Sequence, residues 1–218
     1  VEGQPLGNIY SRGYVRNAKN EILVDATGLP LITPGTTVFM GNTRPDWLGG
    51  ISNSFSYKSL TLNFLISARV GGVVSSNTNA IIYADGVVEQ TLPGRDSYIF
   101  PGVDASGAKN TVATTSEKYW KKVGGRNTPV GEVWSYSATN VRMREMSLTY
   151  ALPANVIRRS PVKTASLSLV GRNLFFLVNE AQGFDPELTA GATNTSVGME
   201  SFSMPSTRQV GLNLNLTF

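Results

Sequence analysis

The sequence predicts an all-β chain made of strands from a transmembrane antiparallel β-barrel. Three observations predict it. Segments of about ten residues alternate apolar and polar residues with the two-residue period of a strand, one face apolar and the other polar but almost uncharged. The connections alternate between very short and very long, the pattern of barrels with tight turns at one membrane surface and large loops at the other. Aromatic residues collect at the segment ends, where a bilayer has its interfaces.

The first strand is expected near 47–57, where Ile51, Asn53, Phe55 and Tyr57 alternate with Ser52, Ser54, Ser56 and Lys58. A tight turn at Lys58-Ser59 leads into a second strand near 60–70 and makes the two a hairpin. Leu60, Leu62, Phe64, Ile66 and Ala68 share one side of it, opposite Thr61, Asn63, Ser67 and Arg69, with Leu65 the one interruption. The third, near 138–150, changes phase. Val141 and Met143 share one parity, and Met146, Leu148 and Tyr150 the other. An extra residue near Arg144-Glu145 would restore a common face as a β-bulge; a strand leaving the membrane is the alternative. Ala154 to Arg159, between two prolines, suits a turn or one helical turn.

A fourth strand near 164–176 carries Ala165, Leu167 and Leu169 against Ser166 and Ser168. The fifth, near 208–218, alternates most cleanly. Val210, Leu212, Leu214, Leu216 and Phe218 lie on one face, and Gln209, Gly211, Asn213, Asn215 and Thr217 on the other. The long connections are 71–136 and 177–207. With Phe218 at the periplasmic side, every short connection is periplasmic and every long one external. Tyr57, Tyr150 and Phe218 then form one aromatic girdle, and Trp47, Phe175 and Phe176 the other. A soluble sandwich would not need this sorting of aromatics, yet its strands have the same period.

Composition agrees. The 218 residues are 16% charged, against about 25% in ordinary soluble domains, with a mean hydropathy of −0.07. Alternating apolar and wet positions average in this way. There is no cysteine and no histidine. That excludes disulfides, thiol nucleophiles and His-dependent triads, and it removes the usual ligands of zinc, copper and haem. No catalytic set or cofactor is expected, and the one kind of metal site left open is a carboxylate-only site for calcium or magnesium. The net charge of +4 is scattered, without the basic, aromatic-interleaved stripe of a nucleic-acid binder. No run of 18 apolar residues supports a membrane helix.

Several segments resemble the C-terminal end of the SusC/RagA family of TonB-dependent outer-membrane transporters of Bacteroidetes. They are Gly41-Asn42-Thr43-Arg44-Pro45-Asp46-Trp47-Leu48-Gly49-Gly50, Asn53 to Lys58, and Val141 to Pro153. They continue at Leu169-Val170-Gly171-Arg172-Asn173-Leu174-Phe175, Gly183-Phe184-Asp185-Pro186-Glu187, Pro205-Ser206-Thr207-Arg208 and Gly211 to Phe218. The resemblance implies a larger barrel, of about 22 strands, with an internal plug. It also implies a SusD-like surface lipoprotein as partner, energy delivered by the TonB complex through an N-terminal part, and import of oligosaccharides or peptides. The chain contains no stretch resembling a plug or TonB box. It opens at Val1 in what resembles an external loop, so a segment of a longer polypeptide is expected.

Candidate site residues follow from face and loop position. Arg69, Arg142, Arg144 and Arg172 fall on or near the predicted lumen face, where they would line a substrate path, contact the plug, or simply be solvated. Trp120 and Trp134 lie in the longest loop and suit either sugar stacking or loop packing. Asp185 and Glu187 are loop carboxylates; Asp185 before Pro186 also suits a turn. Leu60, Leu62, Phe64, Ile66, Val210, Leu212, Leu214 and Leu216 would face lipid, and Phe218 would be the terminal aromatic read during barrel assembly. A soluble β-rich glycan-binding module and a passive porin are the competing readings.

Overall fold

The computed structural model describes residues 3–181, 183–188 and 197–218. Its elements in chain order are β1 (Asn8–Ser11), β2 (Val38–Asn42), β3 (Trp47–Tyr57), β4 (Leu60–Val70), β5 (Val73–Ser76), α1 (Asn77–Ala84), α2 (Ser116–Val123) and α3 (Gly131–Trp134). There follow β6 (Ser135–Ser137), β7 (Asn140–Ala151), α4 (Ala154–Ile157), β8 (Thr164–Asn179), β9 (Met199–Glu200) and β10 (Gln209–Thr217). They fall into two units. One comprises Pro45–Gly71, Ala138–Leu188 and Met204–Phe218; the other comprises Val1–Arg44, Gly72–Ser137 and Thr189–Ser203.

The first unit is a five-stranded antiparallel sheet in the order β10-β8-β7-β4-β3. Its register aligns the apolar parities of all five strands. Phe55 pairs with Leu62, Leu62 with Leu148, Leu148 with Leu169 and Leu169 with Leu212. Paired residues point to the same side, so one apolar face runs across the whole sheet. The β3–β4 turn closes in two residues because Lys58 adopts a left-handed φ of 53°.

The phase slip in β7 is a bulge. Leu65 pairs with Glu145 and Ile66 with Met143, leaving Arg144 as the extra residue. Across β8, Arg144 faces both Asn173, at φ 50°, and Leu174. Two bulged strands side by side keep Val141 and Met143 on the same face as Met146 and Leu148.

This sheet is built inside out. Its apolar face is exposed: Phe55 is 57% accessible and Leu212 75%. Among the described residues its buried hydrophobics are only Ala138, Ala165 and Ala181. The opposite face is mostly polar, and hydroxyl and amide groups link neighbouring strands across it. Ser56 Oγ meets Thr61 Oγ1 at 3.0 Å, Asn63 Nδ2 donates to Ser147 Oγ at 3.3 Å, and Thr149 Oγ1 meets Ser168 Oγ at 2.8 Å.

The second unit has a conventional core. Ala80 of α1, Val123 of α2, and Val130 and Trp134 at α3 are buried together, with Tyr14, Tyr83, Tyr119 and Trp120 packed around them. Local capping explains the helices. Thr115 Oγ1 accepts from the Lys118 amide, Glu117 lies in the first turn of α2, and Lys121 and Lys122 lie in its last. Ser76 caps α1 in the same way and donates its own hydroxyl to Glu200 Oε2 at 2.7 Å. Residues 71–136, which the strand period leaves as one long connection, thus hold most of a packed structure. Helices of two turns give no periodic window long enough to stand out.

Candidate functional site

The polar face of the five-stranded sheet carries a charged cluster at the end where β4 stops and β7 begins. Strand alternation turns Arg142 to this face, where it pairs with Ser67 on one side and Phe176 on the other. The bulge brings Arg144 beside it. Arg144 Nε donates to Ser67 Oγ at 2.7 Å, and its Nη2 donates to both carboxylate oxygens of Glu187, at 2.6 Å to Oε2. Arg142 donates to Asp185 and, at 3.3 Å, to Ser206 Oγ, while Glu187 Oε2 lies 3.5 Å away. Its guanidinium lies 4.0 Å over the Phe176 ring.

The carboxylates are presented by a tight local fold. Asp185 Oδ1 accepts the Glu187 amide at 3.0 Å, the Leu188 amide bonds the Asp185 carbonyl, and Pro186 is fully buried. Asn179 Nδ2, at the end of β8, donates to the Phe184 carbonyl at 3.0 Å. The Arg142 and Asp185 side chains are 5% and 6% accessible. A pair this dry holds only while both partners stay, since either charge alone would be stranded away from water. The cluster therefore clasps 183–188 and Ser206 onto the sheet.

The predicted site residues divide accordingly. Arg142, Arg144, Asp185 and Glu187 come together, and the two arginines are engaged by carboxylates rather than presented as free cations. Arg172 pairs with Glu145 at 3.1 Å in a more open position. Arg69 stands opposite Leu48 and Asn140 on the same face. Trp134 and Trp120 belong to the other unit. Trp134 is 3% accessible and its Nε1 donates to the Val123 carbonyl at 2.7 Å. Trp120 packs edge-on against Tyr83 and Tyr119, with ring centroids 4.9 and 4.8 Å away. Trp134 is thus loop packing, whereas Trp120 still borders a cleft of about 640 Å3 shared with Tyr83, Arg95 and Lys121. Leu60, Leu62, Phe64, Ile66, Val210, Leu212, Leu214 and Leu216 all lie on the one apolar face. Phe218 is exposed, and its carbonyl accepts from Lys163 Nζ at 2.8 Å. Phe176 departs from the predicted girdle. Plain alternation from Ala165 gives Phe176 the polar-side parity of Ser166 and Ser168, so it pairs with Arg142 and its ring lies beneath that guanidinium, while Phe175 pairs with Met143 on the apolar side; the second bulge in β8 follows at Leu177, between the pairs Arg142–Phe176 and Val141–Val178. Ser67 and Ser206 complete the cluster; Ser67 falls on the predicted polar side of its strand and Ser206 lies in the Pro205-Ser206-Thr207-Arg208 segment, but neither is among the candidate site residues. Among the described residues no three Asp or Glu side chains are grouped to hold a metal ion.

The second unit contributes its own electrostatics. Burial alone would raise Asp25, but bonds from Lys122 Nζ, the Thr27 hydroxyl and the Thr27 and Leu29 amides outweigh it and hold the carboxyl at about 2. Burial pushes up the Tyr14 and Tyr119 hydroxyls, which meet each other at 2.9 Å.

No protein-family model matches the chain. Curated proteins of Formosa agariphila do, among them two TonB-dependent receptors. TonB-dependent receptor P3 is 24% identical over 91% of this chain, and TonB-dependent receptor P26 is 26% identical over 89% of it. The chain is similar to TonB-dependent receptors. It spans about a fifth of the length of these relatives, 19% of each. Among solved structures, the RagAB peptide importer superposes in its closed-closed state with a TM-score of 0.57 at 19% identity, covering 96% of this chain and 23% of that one. Its open-open state gives 0.59 over 96% and 22%. The curated relatives bear out the resemblance to TonB-dependent receptors, and the superpositions show a fold shared with the RagAB importer.

Proposed function

We propose that this chain forms part of the wall and external loops of an outer-membrane TonB-dependent importer of nutrients such as oligosaccharides or peptides. One observation carries the proposal. A five-stranded sheet exposes a continuous apolar face and turns a hydrogen-bonded polar face the other way. Monomeric soluble proteins do not leave contiguous apolar surface of this extent in water, whereas a barrel wall requires it. The dimensions fit: β4 has 11 residues, which rise about 33 Å at ~3.3 Å per residue and cover ~25 Å at a tilt of about 40°.

Leu60, Leu62, Phe64, Ile66, Val210, Leu212, Leu214 and Leu216 then meet lipid. The clasp of Arg142, Arg144, Asp185 and Glu187 sits on the lumen side and holds a loop against the wall, with Arg69 and Arg172 on the same lining. β3 and β10 are edge strands among the described residues and would pair with further strands of a barrel of about 22. Partners in this reading are the rest of that barrel and its plug, a SusD-like lipoprotein and the TonB complex. The test is membrane fractionation and uptake with the full-length protein. It should sediment with the outer membrane, need detergent for extraction, and import a labelled peptide or oligosaccharide only in cells with functional TonB. Uptake unaffected by loss of TonB would favour the porin reading; a full-length protein that stays monomeric without detergent would favour the soluble module.

A further inference from the structure

The two short connections lie at one end of the sheet, since Tyr57, Leu60, Tyr150 and Leu167 are aligned there and Thr217 pairs with Thr164. Lys58 occupies one connection, and Arg158, Arg159 and Lys163 occupy the other; all four are exposed. Asp and Glu side chains are missing from this end. The sequence has no Asp or Glu from Trp47 to Ala84, from Met146 to Asn179, or from Gln209 to Phe218. The unit's acidic residues, Asp46, Glu145, Glu180, Asp185 and Glu187, lie at the opposite end or along the polar face.

The cations also lie just past the end of the apolar face. Tyr57, Tyr150 and Phe218 border it and are all exposed. Lys58 Nζ lies 5.3 Å from the centroid of the Tyr57 ring. The connection with the arginines also presents Val156, 65% accessible, within α4. Going outward, the order is therefore aliphatic band, aromatic rim, then cations that no Asp or Glu side chain opposes, of which Lys163 Nζ donates to the Phe218 carbonyl at 2.8 Å. A glycerophospholipid monolayer presents the complementary order: acyl chains, ester zone, phosphates.

We propose that this rim binds the phosphates of anionic glycerophospholipids in the leaflet it meets. The inference rests on the membrane placement proposed above. The arginines can fork onto phosphate oxygens, and the lysines act as point charges. Each cation near an anionic surface is worth about five-fold in affinity.

The experiment uses the full-length protein in detergent, mixed with equal amounts of phosphatidylglycerol and phosphatidylcholine, and counts retained lipids by native mass spectrometry. Wild type should retain phosphatidylglycerol in clear excess. R158Q/R159Q should reduce that excess by more than ten-fold, and K58Q, in the other turn, by a few-fold. Equal retention of the two lipids by wild type, or a wild-type ratio in R158Q/R159Q, would overturn the inference and leave the membrane placement standing. Loss of the excess on adding equimolar inorganic phosphate would overturn the headgroup assignment in favour of a free-anion site. A full-length protein that remains soluble and monomeric without detergent would overturn placement and inference together.

Discussion

Replacing Asp185 by Asn removes one charge and little else. The Asn side chain keeps an oxygen for the Glu187 amide, now 3.0 Å from Asp185 Oδ1, so the local turn persists. What changes is Arg142, whose side chain is 5% accessible. Its remaining anionic partner is Glu187 Oε2 at 3.5 Å, a carboxylate already forked by Arg144. Breaking a buried pair on one side costs about 3–5 kcal/mol. The shared Glu187 puts Asp185→Asn at the lower end, about 3 kcal/mol, which is roughly a hundred-fold in the equilibrium for releasing the loop. Hydrogen exchange on the full-length protein reads this directly, because amides of 183–188 should lose protection while those of β4 keep theirs. Arg142→Met in the same background should recover much of the loss, since no charge is then stranded. Unchanged protection of 183–188 in Asp185→Asn, or additive losses in the double variant, would refute the clasp.

Three further outcomes follow. Leu214→Arg, on the apolar face of β10, should destabilise the full-length protein in lipid by about 2–4 kcal/mol, while Asn213→Arg on the opposite face should cost much less; equal shifts in a urea titration in liposomes would contradict the face assignment. Trp134→Ala should cost about 3–5 kcal/mol locally, seen as faster exchange in α1 and α2 with the five-stranded sheet unaffected. The Asp25 carboxyl is held at about 2, against 3.8 as its ordinary value. Its contribution is therefore fully present above about pH 4 and is lost as pH falls towards 2. Asp25→Asn should remove that acid-dependent component from the thermal stability of the second unit, measured across the same interval.

Strands were legible where residues answer to a single period. Gln209 to Phe218 alternates without exception, and the structure makes it β10. Val141 to Tyr150 was legible in spite of its slip, because two half-patterns of opposite parity imply one inserted residue, and Arg144 is that residue. The bulge in β8 was not, because Gly171-Arg172-Asn173-Leu174 has no clean parity for a slip to interrupt. Phe176 shares the even parity of Ser166 and Ser168, so alternation alone puts it on the polar face, and grouping it with Phe175 at the rim overlooks that period. The second unit stayed hidden because its helices are short and its core joins residues as distant as Tyr14 and Trp134, which no local window connects. The charged cluster was half visible. Arg142, Arg144, Asp185 and Glu187 each stood out singly, but the pairing of a strand with a loop some forty positions later depends on where the chain returns, and alternation carries no information about that.

The inverted sheet has a consequence for how such a chain must be handled before it reaches its destination. In most proteins the first collapse in water hides the surface that will later be the core. Here the largest apolar surface never becomes anyone's interior within the same unit, and early collapse can cover it only with the wrong partner, most readily another copy. Dilution, a holding chaperone or an amphiphile present from the outset should therefore decide yield, and refolding into pure buffer should lose material faster as concentration rises. For this sheet, the solvent is a component of the folded state.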